Sequence, residues 1–326
     1  MTARHRAART LAIFIVVTAS AILAGATAEF PEATLTSSRI KARLYVPDAD
    51  AGYYRATRFD WAGVISDLKW RDHSYFGVWF PRHDPKINDA ITGPVEEFTK
   101  GLGYDEAKPG ERFVRIGVGA VVRPQEASYR QFNTYDIADS GTRSMTKGAD
   151  WIEFTHTLGN TSGYAYAYTK RVRVSGDTLI LEHRLKNTGQ KPIETSVYQH
   201  NFFILDSQPT GPDTVVRFTF APTAVAALAG LAETRGREVR YLQELGPRQT
   251  VLTELKGYGA TARDYDIRVE NHKTRAGVRQ TSDRPLSKLM LWSPRTTVCP
   301  EAYIDLAIAP GKETSWRITY EFYEVK

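Results

Sequence analysis

From Leu44 onward the chain runs in short segments where apolar and polar residues alternate, broken at close intervals by turn residues and with few long stretches of helical period. That pattern predicts an all-β sandwich or barrel. The clearest segment is the last, Ser315 to Tyr323, where Trp316, Ile318, Tyr320 and Phe322 alternate with Ser315, Arg317, Thr319 and Glu321 behind the turn Ala309-Pro310-Gly311-Lys312. This is the period of a half-buried strand. Thr178 to Lys186 places Leu179, Leu181, His183 and Leu185 on one face, and Trp151 to Leu158 does the same for Ile152, Phe154, His156 and Leu158. Ile193 to Leu205 reads as another strand. The alanine-rich stretch Thr223 to Glu233 is open between a short helix and a covered strand.

No linker, charge block, low-complexity tract or fixed-period repeat interrupts residues 40 to 326, so one domain accounts for them. With 42% hydrophobic, 11% aromatic and 25% charged residues in 326, a disordered, collagen-like or coiled-coil chain is excluded. The single cysteine, Cys299, excludes a disulfide framework and paired-cysteine zinc clusters. Arg4, Arg6 and Arg9 precede an apolar run from Leu11 to Leu23, and Ala26-Thr27-Ala28 follows. That order is expected of a secretory signal over residues 1–28, with 29–326 as the exported domain, periplasmic or extracellular. The run is too short for a membrane span, so no membrane association is expected after cleavage. Removing three arginines and no acidic residue takes the formal charge from +6 to +3. Nucleic-acid binding then has no electrostatic basis.

Charge leaves the aromatic residues as the part of the composition that points to a ligand. Nine of them lie between Tyr53 and Phe80, Trp79 included, mixed with Arg55, Arg58 and Arg71 and followed by Arg82. Flat aromatic faces beside hydrogen-bonding groups suit sugars, though two hydrophobic strands with snorkelling arginines would look the same. Further on, His200 shares a strand face with Tyr198, Phe202 and Ile204. An imidazole in such a setting suits proton transfer, or is a packed core histidine. Glu301 is a lone carboxylate among Val298, Cys299, Ala302 and Ile304, either paired structurally or poised as a base by burial.

At these residues the chain resembles a known family. His200-Asn201-Phe202-Phe203-Ile204-Leu205 is similar to the His-x-Tyr/Phe-Phe-x-Leu motif of the aldose 1-epimerases (mutarotases) and hexose-6-phosphate epimerases, and Cys299-Pro300-Glu301-Ala302-Tyr303 to their Cys-Leu-Glu-x-Gln motif. Leu289-Met290-Leu291-Trp292-Ser293-Pro294 resembles the Val-Val-Trp-Asn-Pro stretch of the phosphate-sugar branch. Ala62 to Leu68 resembles the family's opening strand, and Pro310-Gly311-Lys312 with the strand after it the closing one. The resemblance implies a galactose mutarotase-like β-supersandwich of antiparallel sheets that holds a mono- or oligosaccharide. It also implies Glu301 as general base at the anomeric hydroxyl, His200 as general acid at the ring oxygen, and neither metal nor organic cofactor. Opposed action on one ring suggests a separation of about 5–7 Å between the two groups.

Departures from the family bear on the rest of the site. Where the family carries a second, sugar-binding histidine, this chain reads Gly93-Pro94-Val95-Glu96-Glu97-Phe98. Glu96, Glu97, His73, His83 or His156 are the candidate replacements, with Arg55, Arg58, Trp79 and Trp292 as further binding residues. Tyr303 takes the place of the glutamine that follows the base. Two other functions share this reading: a non-catalytic carbohydrate-binding protein, and a polysaccharide lyase or glycosidase, for which Glu301 with Glu96 or Glu97 is the available pairing. Arg55, Arg58, Arg82 and Arg295 could grip an acidic sugar, so neutral and acidic sugars both remain open.

Overall fold

The computed structural model describes residues 30–326, and the predicted export segment lies outside them. The alternating segments form strands in four sheets of ten, six, four and three strands, every pairing antiparallel. This is the all-β sandwich that the period of two predicts. Trp316, Ile318, Tyr320 and Phe322 are buried along the closing strand Glu313–Glu324. The neighbouring strand Thr178–Asn187 buries Leu179, Leu181, His183 and Leu185. The open reading of Thr223 to Glu233 resolves as neither alternative: two strand ends, Thr223–Ala224 and Ala232–Arg235, lie in different sheets with a turn between them.

The six-stranded sheet runs in the order Thr223–Ala224, Thr250–Lys256, Lys288–Pro294, Cys299–Ile308, Ile193–His200, Val95–Phe98. Its inner face packs on the ten-stranded sheet, as where Phe98 meets the edge of Trp316 at 6.3 Å. Most of this interface is hydrophobic, and each large apolar side chain contributes roughly 1.5–3 kcal/mol on burial. It also holds a charged pair. Lys170 and Glu96 have no exposed side-chain surface, and Nζ of Lys170 donates to Oε2 of Glu96 at 2.5 Å and to the Ala62 carbonyl at 2.9 Å. Gln199 Nε2 donates to the other Glu96 oxygen at 2.9 Å. Burial and the Lys170 ammonium hold the adjacent His183 well below the usual histidine range, hence neutral.

Candidate functional site

The outer face of the six-stranded sheet carries the site, and strand register assembles it. Tyr198 stands opposite Tyr303 on the antiparallel neighbour; the same register, two residues on, sets His200 across from Glu301. Glu301 in turn faces Met290 and Tyr303 faces Lys288, while Trp292 faces Leu252 on the next strand. Because side chains alternate along a strand, all these residues share one face. Together with Arg58, Trp79, Asp89, Gln131 and Phe132 from the loops they line a cleft of about 570 Å³.

Nε2 of His200 lies 3.2 Å from Oε1 of Glu301. The two groups therefore touch directly, in contrast to the wider gap expected from opposed action on one ring. The expectation failed because His200 and Glu301 are directly opposed neighbours on adjacent strands, whose Cβ atoms lie about 4.5–5.5 Å apart, too close for a ring to stand between them. Burial raises the Glu301 carboxyl to about 7, against the opposing pull of the nearby Arg58 cation and with a further push from Glu97. Tyr303 Oη donates to Oε2 of Glu301 at 3.3 Å. Burial, reinforced by Arg58, depresses His200 well below the usual range.

Aromatic rings hold the imidazole. Phe202 stacks on it with centroids 3.8 Å apart, Trp79 stacks on Phe202 at 5.0 Å, and Trp292 meets the imidazole edge-on at 5.3 Å. Phe202 reaches this position from a backbone with φ of +46°. A bulky residue in that region is uncommon and costs of order 1–3 kcal/mol. Its N–H donates to Sγ of the buried Cys299 at 3.2 Å. Nδ1 of His200 has no hydrogen-bond partner among the described residues. While Glu301 is ionised, the proton of the neutral ring thus belongs on Nε2, facing the carboxylate, since a buried N–H without an acceptor costs more than a buried lone pair.

Adjacent glutamates on one short strand go to opposite faces. Glu97, paired across from Tyr198, turns toward the cleft side, and Glu96, paired with Gln199, turns inward to Lys170. Oε2 of Glu97 accepts from Arg58 Nε at 2.9 Å and from the Tyr198 hydroxyl. Arg58 also donates to Asp89 at 2.5 Å and to Tyr198 Oη at 3.1 Å. Glu97 is itself fully buried and does not line the cleft. It acts on the site through Arg58 and Tyr198.

Of the residues singled out in the sequence, His200, Glu301, Arg58, Trp79 and Trp292 come together here. Arg55 does not: its guanidinium donates to the Asp50 carbonyl at 2.6 Å. Glu96 is an interior residue, and His156 is buried elsewhere in the core, bound to the Ser140 carbonyl and 3.1 Å from the Tyr166 hydroxyl. His73 pairs with Asp206 at 2.8 Å, and His83 stacks on Tyr53 at 4.1 Å. Arg295 is engaged by Glu244 at 2.6 Å. None of these six lines the cleft. Lys288, Met290 and Leu252 do line it without having been singled out, although the alternation that exposes Trp292 also places Lys288 and Met290 on its face. Asp89, Gln131 and Phe132 come from loops, where no periodicity marks them.

Among the described residues no group of three or more histidine, cysteine or acidic side chains is placed to hold a metal ion. No helix among them is long and apolar enough to cross a membrane. What the cleft offers is a carboxylate and an imidazole in contact, two tyrosines, flat aromatic walls and the charged side chains of Arg58, Asp89 and Lys288.

No protein-family profile matches the chain, and no curated protein matches it in sequence. Solved structures do match its fold. A proposed aldose 1-epimerase of Escherichia coli K12 superimposes with a TM-score of 0.55 at 15% identity, over 90% of this chain and 99% of that one. A galactose mutarotase related enzyme from Lactobacillus acidophilus gives 0.54 at 14% identity over 90% and 99%, and a galactose 1-epimerase from Lactobacillus acidophilus NCFM 0.52 at 10% over 90% and 95%. With agreement over nearly the full length of each and a wholly antiparallel sandwich, the chain has the fold of the aldose 1-epimerases and galactose mutarotase-like proteins.

Proposed function

We propose that the protein interconverts the anomers of a sugar by acid–base ring opening, with Glu301 and His200 as the proton-transfer pair. The observation that carries this reading is their 3.2 Å contact at the floor of an aromatic cleft, with the Glu301 carboxyl poised at about 7. In the working form the pair holds its extra proton on His200, so that Nδ1 and Nε2 both carry hydrogen and Nε2–H of the imidazolium faces the Glu301 carboxylate. The carboxylate takes the anomeric hydroxyl proton while Nε2 gives its proton to the ring oxygen. The C1–O5 bond breaks, the anomeric oxygen becomes the aldehyde carbonyl, and rotation about C1–C2 followed by the reverse transfers closes the other anomer. The pair ends with as many protons as it began. A neutral imidazole is far too weak an acid for this step, so the singly protonated pair is the working form.

In this reading Tyr303 steadies the carboxylate, and Trp79 and Trp292 present flat faces to the sugar's C–H surface. Export, signalled by residues 1–28, sets the reaction outside the cytoplasm. Anomer exchange followed by NMR over a panel of neutral and uronic sugars tests the proposal. Glu301→Gln and His200→Ala are each expected to lower kcat/KM about 10²–10⁴-fold. Sugars that bind to both variants and to the parent without any exchange would show a carbohydrate-binding protein instead.

A further inference from the structure

We propose that the cleft takes the reducing end of an oligosaccharide in preference to a free monosaccharide, with Phe132 above the Arg58 guanidinium as the platform for the penultimate ring. This rests on the anomer-exchange reading and names its substrate class.

The first observation is size. A cleft of about 570 Å³ falls in the range that encloses ligands of several rings. Its floor extends from Leu252 to His200 across three inter-strand steps, about 14 Å. His200 and Glu301 lie on the two strands at one end of that floor, the end where Arg58 donates to Tyr198 and carries Phe132, so a single pyranose seated on the pair leaves part of the cleft uncovered.

The second is Phe132 itself, which is 65% exposed at the cleft although its backbone is fixed from beneath. The buried Asn88 donates to the Phe132 carbonyl at 2.9 Å, and the buried Arg115 donates to the Gln131 carbonyl at 2.9 Å. Arg58 lies against the ring, 4.5 Å from its centroid, and is itself held by Glu97 and Asp89. An exposed aromatic ring on a hydrogen-bonded backbone gives a sugar face a surface that loses little backbone freedom on binding. The charges under it are compensated, Arg58 and Arg115 against Glu97 and Asp89, so the platform suits a neutral ring. The proton-transfer groups are confined to the first ring's place.

The test compares anomer exchange of maltose, cellobiose and lactose with that of glucose and galactose. At least one disaccharide is expected to exceed its reducing-end monosaccharide about tenfold in kcat/KM. Phe132→Ala should cut that ratio by about three- to tenfold, and Phe132→Tyr should keep it. Leu242→Ala, an exposed apolar residue outside the cleft, serves as the control and should not move it. A ratio near one, unmoved by Phe132→Ala, overturns the inference while leaving anomer exchange intact. If no sugar is exchanged, the catalytic reading fails separately. Calorimetry with the methyl glycosides of the three disaccharides then decides: binding weakened by Phe132→Ala supports the platform, and no binding overturns it.

Discussion

Replacing Glu97 with glutamine isolates the electrostatics of the proton-transfer pair. Glu97 sits two strands from Glu301, with the Tyr198 strand between them, a separation of about 10 Å from strand spacing alone. At an effective dielectric of about 20, two unit charges at that distance interact by roughly 1.7 kcal/mol, or about one pKa unit. The sign follows from the like charges. Glu97 helps to raise Glu301, so its neutralisation makes the pair surrender its extra proton at lower pH. The pair titrates as a unit, and its singly protonated form is the proposed working form. Activity of the parent should therefore fall as pH rises through about 7. In Glu97→Gln this basic limb should move down to about 6. The assay is the pH profile of kcat/KM for anomer exchange, with carbon-13 NMR of the Glu301 carboxyl as a readout independent of turnover. Two results would refute the reasoning. An activity that rises through pH 7 would mean that the deprotonated pair does the work. A limb that stays within about 0.3 units in the variant would mean that Glu97 is screened from Glu301 altogether.

Glu301→Gln should also change stability in a pH-dependent way. Folding lifts this carboxyl from an ordinary value of 4.5 to about 7, so the parent loses stability as pH rises between those values and none further above them. Glutamine escapes the loss, and chemical denaturation should show the variant more stable at pH 8 by up to about 3 kcal/mol, with the gap closing near pH 4. Equal stability at both pH values would contradict the raised carboxyl. In the interior, Lys170→Met leaves Glu96 without its cation and should cost about 3–5 kcal/mol. Adding Glu96→Gln should recover much of that in the same denaturation assay, whereas additive losses would show that the two groups do not act as a pair.

The fold was legible because a sandwich writes its period into each strand. Trp316 to Phe322 and Leu179 to Leu185 point inward as their alternation requires. The catalytic candidates were legible too, since a histidine and a glutamate on apolar strands stand out against their neighbours. The binding residues were harder for an identifiable reason. Among Arg55, Arg58, Glu96, Glu97 and His156, residue type alone does not say which side of a sheet the side chain takes. Only pairing across strands separates Glu97, beside Tyr198, from Glu96, beside Gln199. The Phe132 loop is harder still, because its place at the cleft depends on Asn88 and Arg115, distant in sequence and fixing it through backbone carbonyls. The Thr223 to Glu233 stretch has the alanine content of a helix, but its two ends are drawn into separate sheets.

The contrasting fates of Glu96 and Glu97 also bear on how such a protein can change over generations. Leu252, Lys288 and Met290 lie on the cleft face of strands whose alternate residues, such as Val251, Leu289 and Leu291, build the core. Substitution at the first set can retune which ligand fits without disturbing the packing that the second set supplies. Insertions are another matter. One residue added within the strand Val95–Phe98 would bring the wrong carboxylate under Arg58 and strand Lys170 in the core. Lineages descended from such a chain should therefore diversify by exchange along these strands and by length change only in the loops.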